Sequence, residues 1–167
     1  MKKLHIVCLA AGLVLATAAT ALATRSGERA PTFTLKDTSG TTVELAAFKG
    51  KIVFVDFWAH WCAPCKKELP VLDKLAKRYA SKDVVFLAIN VDSDKKDALA
   101  FLSSVGISNL SVLLDPKGQV AEKYSPTAMP SSFVIDKEGN IRFVNAGYVA
   151  GDEKKFVQQL DGLLSRR

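Results

Sequence analysis

Val55-Asp56-Phe57-Trp58-Ala59-His60-Trp61-Cys62-Ala63-Pro64-Cys65-Lys66 is the stretch on which the reading of the whole chain turns. It continues an apolar run, Ile52 to Trp58, in which Val53, Phe54, Val55 and Phe57 leave no polar face. Such a run is a strand covered on both sides, as in mostly parallel sheets. Beyond it, Cys62 to Tyr79 reads as a helix, with Leu69, Leu72, Leu75, Ala76 and Tyr79 at three- and four-residue spacing and Lys66, Lys67, Lys74 and Lys77 mostly on the other side. The two cysteines stand at a strand-to-helix corner.

A thiolate attacks a disulfide far faster than a thiol does, so a working pair must lower the pKa of one sulfur and leave that sulfur accessible. Cys62 falls at the predicted helix start, where unpaired backbone N–H groups and the positive end of the dipole favour an anion. Cys65 lies one turn further on, near enough to close a disulfide but deeper in the helix. Cys62 is therefore read as the attacking sulfur and Cys65 as the resolving one. Pro64 has no N–H to lose in the first turn and holds the corner in shape. Ala63 and Pro64 bring no charged or hydrogen-bonding side chain to stabilise a thiolate, whereas strong oxidants need a heavily stabilised reduced form, so the dipeptide points towards a reductant.

Three structural readings of the pair compete with the redox one. A zinc site needs about four ligands, and once the first 23 residues are set aside the chain offers two cysteines and one histidine, His60. A structural disulfide closing so short a loop would constrain little of the unfolded chain. Two inert buried cysteines would need neither the tryptophan, the proline nor the helix start around them. A C-x-x-C beside a strand-helix-strand pattern is a redox motif, and no metal or other cofactor is expected.

Outward from the corner, Thr32 to Lys36 and Thr42 to Leu45 flank the turn Asp37-Thr38-Ser39-Gly40 and predict an opening hairpin. Pro70 should kink the cysteine-bearing helix after two turns. Val84 to Val91 reads as a second buried strand, joined to the first by a right-handed parallel crossover. Asp94 to Val105, with Leu99, Leu102 and Val105 on one face, predicts a second helix, and Val112 to Leu114 a short strand before the turn Asp115-Pro116-Lys117-Gly118. Ser132 to Ile135 and Ile141 to Tyr148, separated by Asp136-Lys137-Glu138-Gly139-Asn140, predict a second hairpin. A last helix carries Phe156, Leu160, Leu163 and Leu164 at i, i+4, i+7 and i+8.

The chain has 167 residues, about half of them apolar, enough for one domain with its own core. Residues 1–23 have the parts of a secretory signal: basic Lys2 and Lys3, apolar Ile6 to Ala19, and Ala21-Leu22-Ala23 for cleavage. The expected domain is then 24–167. An uncleaved membrane anchor is the competing reading of Leu4 to Ala23, weighed against by the small residues of its second half and the polar run that follows. A lipid-modified Cys8 is disfavoured by Val7 before it. Removing the segment takes away Cys8, Lys2 and Lys3, which leaves Cys62 and Cys65 as the only thiols and 21 basic against 17 acidic side chains, a net of +4. Basic and acidic residues are interleaved, as in Lys95-Lys96-Asp97, so they read as a solvated surface with no nucleic-acid signature.

The run from Val55 to Lys66 closely resembles the active-site segment of thioredoxins. The signal, the opening hairpin, Lys66-Lys67-Glu68-Leu69-Pro70, and Met129-Pro130 before Ser132-Phe133-Val134-Ile135-Asp136 narrow the resemblance to the TlpA/ResA/DsbE branch of exported thioredoxin-like proteins, over residues 31 to 165. The resemblance implies an α/β fold, a thioredoxin-like three-layer sandwich whose mixed central sheet is flanked by helices, with an N-terminal β-hairpin extension. It implies a cis-proline at Pro130 facing the cysteines, with the Met129 backbone free to pair with an extended substrate segment; a trans proline in an ordinary loop is the alternative. It implies that Asp56 is a buried acid able to take the proton of the resolving cysteine, and that Glu68 is an acid near the site, though a surface acid reads equally well. His60 departs from the residues expected before Trp-Cys and reads as a solvated loop histidine. Trp58 and Trp61 read as structural, with Trp61 shaping the rim of the substrate surface.

The leading function is reduction of disulfides in exported proteins, periplasmic or otherwise extracytoplasmic, by a Cys62/Cys65 dithiol. The branch suggests apocytochrome c as one client and a membrane electron donor such as a transmembrane thiol reductase. A disulfide-forming oxidant, a peroxiredoxin-like peroxidase and a non-catalytic binding module remain as alternatives.

Overall fold

The computed structural model describes residues 25–166; the segment read as a signal, Cys8 included, lies outside the described residues. Seven strands and four helices run β1 (Thr34–Asp37), β2 (Thr42–Glu44), β3 (Ile52–Trp58), α1 (Ala63–Tyr79), β4 (Val84–Asn90), α2 (Lys95–Val105), β5 (Ser111–Leu114), α3 (Gln119–Tyr124), β6 (Ser131–Ile135), β7 (Ile141–Ala146) and α4 (Asp152–Leu164). A 3-10 turn, Leu45–Phe48, follows the first hairpin. The strands form one sheet in the order β2-β1-β5-β4-β3-β6-β7. β3, β4 and β5 are parallel, β6 runs antiparallel to β3, and the β1–β2 hairpin joins the other side by an antiparallel pairing of β1 with β5. This is the mixed, helix-flanked thioredoxin-like sandwich with an N-terminal hairpin.

The uninterrupted apolar run of β3 has its explanation in the layers. All seven of its residues are buried. Ile52, Phe54 and Trp58 face a core built with Leu69, Leu72 and Leu75 of α1 and Phe156 and Leu160 of α4. Val53, Val55 and Phe57 face the opposite core, with Phe33, Leu45, Val120 and Tyr124. Strand residues alternate between faces, so Asp56 falls on the α1 side. On the second side Phe57 and Tyr124 each meet Phe133 edge to face and lie tilted against one another, with centroids 5.1 to 5.8 Å apart.

Two local features differ from the sequence reading. α2 turns Ala98 inward with Phe101, Leu102 and Val105 partly covered, while Leu99 is 41% exposed; Leu102 and Val105 of the expected stripe are covered, and at its third place the small Ala98 replaces Leu99, which lets the helix approach its neighbours. α3 was not predicted, because six residues are too few to show a helical period. Its start is secured from outside by Asp115, whose Oδ2 accepts the N–H groups of Val120 and Ala121, both at 2.9 Å. α1 runs from its N-cap Cys62 across Pro70 to Tyr79, the extent read from the sequence.

Asp73, buried on α1, holds the loop between α2 and β5. Its Oδ1 accepts the backbone N–H groups of Ser108, Asn109 and Leu110 at 3.0, 2.6 and 3.0 Å, and its Oδ2 accepts the Asn109 side-chain amide at 2.7 Å. Asp73→Ala leaves these donors without their acceptor and is expected to lower stability by about 1–3 kcal/mol in urea titration of the oxidised protein, with redox activity retained in the folded fraction.

Candidate active site

Cys62 and Cys65 are joined by a disulfide with Cα atoms 5.3 Å apart. Cys62 is the N-cap of α1, and its Sγ accepts the backbone N–H of Cys65 at 3.2 Å. A helix start leaves its first N–H groups without backbone acceptors, and here one of them is aimed at the Cys62 sulfur. Pro64 occupies the first turn, where its missing N–H leaves nothing unsatisfied. The Cys62 N–H in turn donates to the carbonyl of Ala59 at 3.1 Å, closing a turn with His60 and Trp61 at its corner. In this oxidised form Cys62 is only 3% exposed and Cys65 is fully buried. The expectation of an open attacking sulfur is corrected accordingly: the N-cap position tucks Cys62 against the helix it starts.

Asp56 and Glu68 are both buried on the α1 side of β3. Glu68 follows Cys65 by three residues, one helical turn, so it shares the inward stripe of α1 with the Cys65 sulfur. Both carboxyl oxygens of Asp56, and Oε2 of Glu68, have no hydrogen-bond partner among the described residues. Burial, and next the charge of Glu68, hold Asp56 well above the usual carboxylate range. Burial pushes Glu68 up to about 8, reinforced by Asp152 and opposed by Lys155. The surface alternative for Glu68 does not describe its place in the fold.

The Met129–Pro130 peptide bond is cis. Register places Pro130 beside the end of β3, since Ser131 pairs with Phe57. The Pro130 carbonyl accepts the Gly147 N–H at 2.8 Å, and the Ser131 hydroxyl donates to the Ala128 carbonyl at 2.7 Å. No backbone hydrogen bond engages Met129 among the described residues. Beside the cysteines, Ala63, Pro64 and Lys67 of α1 face Tyr148, Val149 and Ala150 across a groove of about 330 Å³. Trp61 and Val149 stand at 64% and 68% exposure, an apolar surface that a folded domain ordinarily covers or uses.

A family model described as Redoxin matches residues 25–160. The chain belongs to the redoxin family. The thiol-disulfide oxidoreductase ResA of Bacillus subtilis is 40% identical to it over 121 residues, 72% of this chain and 67% of that protein. The thioredoxin-like protein YneN of the same organism is 36% identical over 82% of this chain and 79% of its own length. Among solved structures, one from Chlorobium tepidum described as a DsbE thiol:disulfide interchange protein superposes with a TM-score of 0.81 at 34% identity, covering 86% of this chain and all of that one. The exposed lipoprotein thioredoxin Etrx1 of Streptococcus pneumoniae gives 0.71 at 32% identity, covering 80% and 100%. This redoxin is a thiol-disulfide oxidoreductase of the ResA/DsbE type with a Cys62–Cys65 pair.

One residue of this redoxin site escaped the sequence reading. Asp92, buried just past the end of β4, accepts both the backbone N–H of His60 at 2.9 Å and its ring Nδ1 at 2.8 Å. His60 lies in the turn with its side chain 43% exposed, the solvated loop histidine expected, and its contact with Asp92 is what the sequence reading missed. The available signal was position, because polar residues at the carboxyl ends of parallel strands collect at functional sites.

Glu68 sets a pH dependence that can be measured. Its folded pKa near 8 lies above the ordinary value of 4.5, so between these limits the native state holds a proton that the unfolded state has released, and stability falls as pH rises. Glu68→Gln removes that slope. In urea titrations of the oxidised protein, the variant is expected to gain on the parent by about 2–4 kcal/mol between pH 4.5 and 8.5. A constant difference across that range would contradict the placement of this carboxyl.

Proposed function

We propose that this redoxin is an extracytoplasmic protein-disulfide reductase acting on exported proteins, with residues 1–23 directing export and 24–167 forming the mature domain. The observation that carries the reading is the placement of the two sulfurs: Cys62 caps a helix start with an N–H aimed at it, and Cys65 lies enclosed on the stripe that holds Glu68, with Asp56 on the strand beneath.

In the reaction, the Cys62 thiolate attacks one sulfur of a client disulfide. An S–S bond forms to Cys62, the client bond breaks, and the departing client sulfur takes up a proton. Cys65 then gives its proton to the buried acid pair and attacks Cys62 Sγ, releasing the second client sulfur and closing the Cys62–Cys65 disulfide. Two electrons pass from the protein dithiol to the client. A carboxylate whose proton affinity has risen to about 8 comes closer to a thiol than an ordinary carboxylate does, which eases this transfer. The groove between α1 and the loop after β7, with Trp61 at its rim, supplies apolar surface for the client, and the unengaged Met129 backbone beside cis-Pro130 supplies strand-type pairing. Re-reduction needs two electrons from outside the chain, for which a transmembrane thiol reductase is the fitting donor. Apocytochrome c, whose Cys-x-x-Cys-His thiols must be free before haem attaches, is the fitting client.

Equilibration with glutathione tests the direction. Because Ala63 and Pro64 add nothing that stabilises a thiolate, the expected potential lies near that of thioredoxin, about −270 mV; a value close to about −120 mV, that of strong oxidants, would make the protein a disulfide donor instead. Cys65→Ser tests the order of attack: it is expected to accumulate mixed disulfides between Cys62 and exported proteins, visible on non-reducing gels and lost on reduction. An absence of adducts would reject the assignment of Cys62 as the attacking sulfur.

A further inference from the structure

The turn that leads into Cys62 is held by a side chain from another strand. The β3–β4 ladder ends with the Val91 N–H donating to the Trp58 carbonyl at 3.0 Å. Asp92 extends this clasp by one residue through its side chain. Its Oδ2 accepts the His60 backbone N–H at 2.9 Å and the Asn90 Nδ2 at 2.7 Å, and its Oδ1 lies 2.8 Å from His60 Nδ1. Asn90 is itself fixed: its Oδ1 accepts the Asp92 N–H at 3.1 Å, and its carbonyl accepts the Asp115 N–H at 2.8 Å. The support therefore reaches from β3 through β4 to the end of β5.

The contact of Nδ1 with the carboxylate holds the imidazole ring as well as the backbone of His60. The two contacts to His60 do different things. The backbone bond alone would tether the turn at one point and leave it free to pivot. The ring bond adds a second point of attachment and fixes the orientation of the corner, and with it Trp61 and the Cys62 N–H that closes the turn onto Ala59. For folding the ring bond matters little. Oδ2 keeps its two donors, and removal of the half-exposed ring opens Oδ1, its partner, to water. For disulfide exchange orientation matters more, because the attacking and leaving sulfurs must stand in line, and small misplacements of a reacting atom cost rate steeply.

We propose that Asp92 and His60 form a positioning pair, in which the two-point hold of the Asp92 carboxylate on His60 sets where Cys62 and Trp61 stand against an incoming client sulfur. The inference rests on Cys62 being the attacking sulfur, as proposed above. Neither residue touches the reacting atoms; both act through the turn.

The test uses the reduced mature protein and, as probe, a synthetic Cys-x-x-Cys-His peptide in its disulfide form, with the second-order exchange rate read by stopped flow. His60→Ala is expected to slow exchange about three- to tenfold while the thermal midpoint of the oxidised form stays within a few degrees of the parent. His60→Asn, whose amide nitrogen can stand where Nδ1 stood, is expected to recover most of the rate. Asp92→Asn is expected to lose rate as His60→Ala does, and the double variant no more than either alone. Exchange by His60→Ala within twofold of the parent, or His60→Asn no faster than His60→Ala, would overturn the pair; these two variants decide even if Asp92→Asn does not fold. Client trapping by Cys65→Ser separates the outcomes: adducts with an unaffected His60→Ala rate sink only the positioning pair, whereas no adducts at all sinks the order of attack beneath it.

Discussion

A carboxylic acid in the middle of a strand covered on both faces is the constraint around which the rest of the site is arranged. Asp56 lies on β3, between β4 and β6, with Ala88 and Ser132 as its register partners, and helices pack over the face to which it points. No hydrogen bond among the described residues relieves either oxygen, so the acid is held towards its neutral form. Glu68, contributed by the helix above, shares that enclosure and raises the cost of a second charge further. In the proposed reaction these two acids, which cannot both ionise easily, hold one mobile proton for Cys65, one turn away on the same helical stripe.

The same sheet edge gathers everything else the reaction needs. At the end of β3 the chain turns through Ala59 to Cys62 and enters α1; at the end of β4 it presents Asp92; at the start of β6 it makes the cis Met129–Pro130 bond; and after β7 the loop with Tyr148 and Val149 closes the groove against Ala63 and Pro64. Parallel strands end at one edge and helices start there, so N–H donors, loop backbone and apolar side chains converge without any single segment carrying the whole site. Two of these loops are pinned separately, by Asp92 for the cysteine turn and by the Gly147 N–H for the cis-proline loop. A site built from separately anchored loops keeps its geometry while one of them accommodates a client.

Likeness to ResA of Bacillus subtilis and to the Chlorobium tepidum structure covers most of the described chain. The contact of His60 with Asp92 lies at the approach to the first cysteine, a place where a change in orientation can alter rate without altering the fold.

Much of this was legible in the primary structure because the relevant signals are local. An unbroken apolar run implies a doubly covered strand, three- and four-residue spacing implies an amphipathic helix, and Trp-Cys-Ala-Pro-Cys at their junction implies a thiol at a helix start; β3, α1, β4, α4 and the cysteine pair were all read in this way. What remained hidden depended on contacts distant in the chain. α3 is too short to show a period and is held by Asp115. The buried stripe of α2 runs through Ala98 in place of Leu99, because close approach selected the small residue. The docking of β1 on β5 joins strands more than seventy residues apart in the chain. The partnership of His60 with Asp92 spans 32 residues and exists only because β3 and β4 end side by side. By itself the sequence determined which residues carry the sulfur chemistry and which local elements hold them. Only the tertiary structure decided that Cys62 lies buried, that Glu68 faces inward with Asp56, and that an acid from the neighbouring strand orients the turn, since burial and partnership are set by packing and no local pattern encodes them.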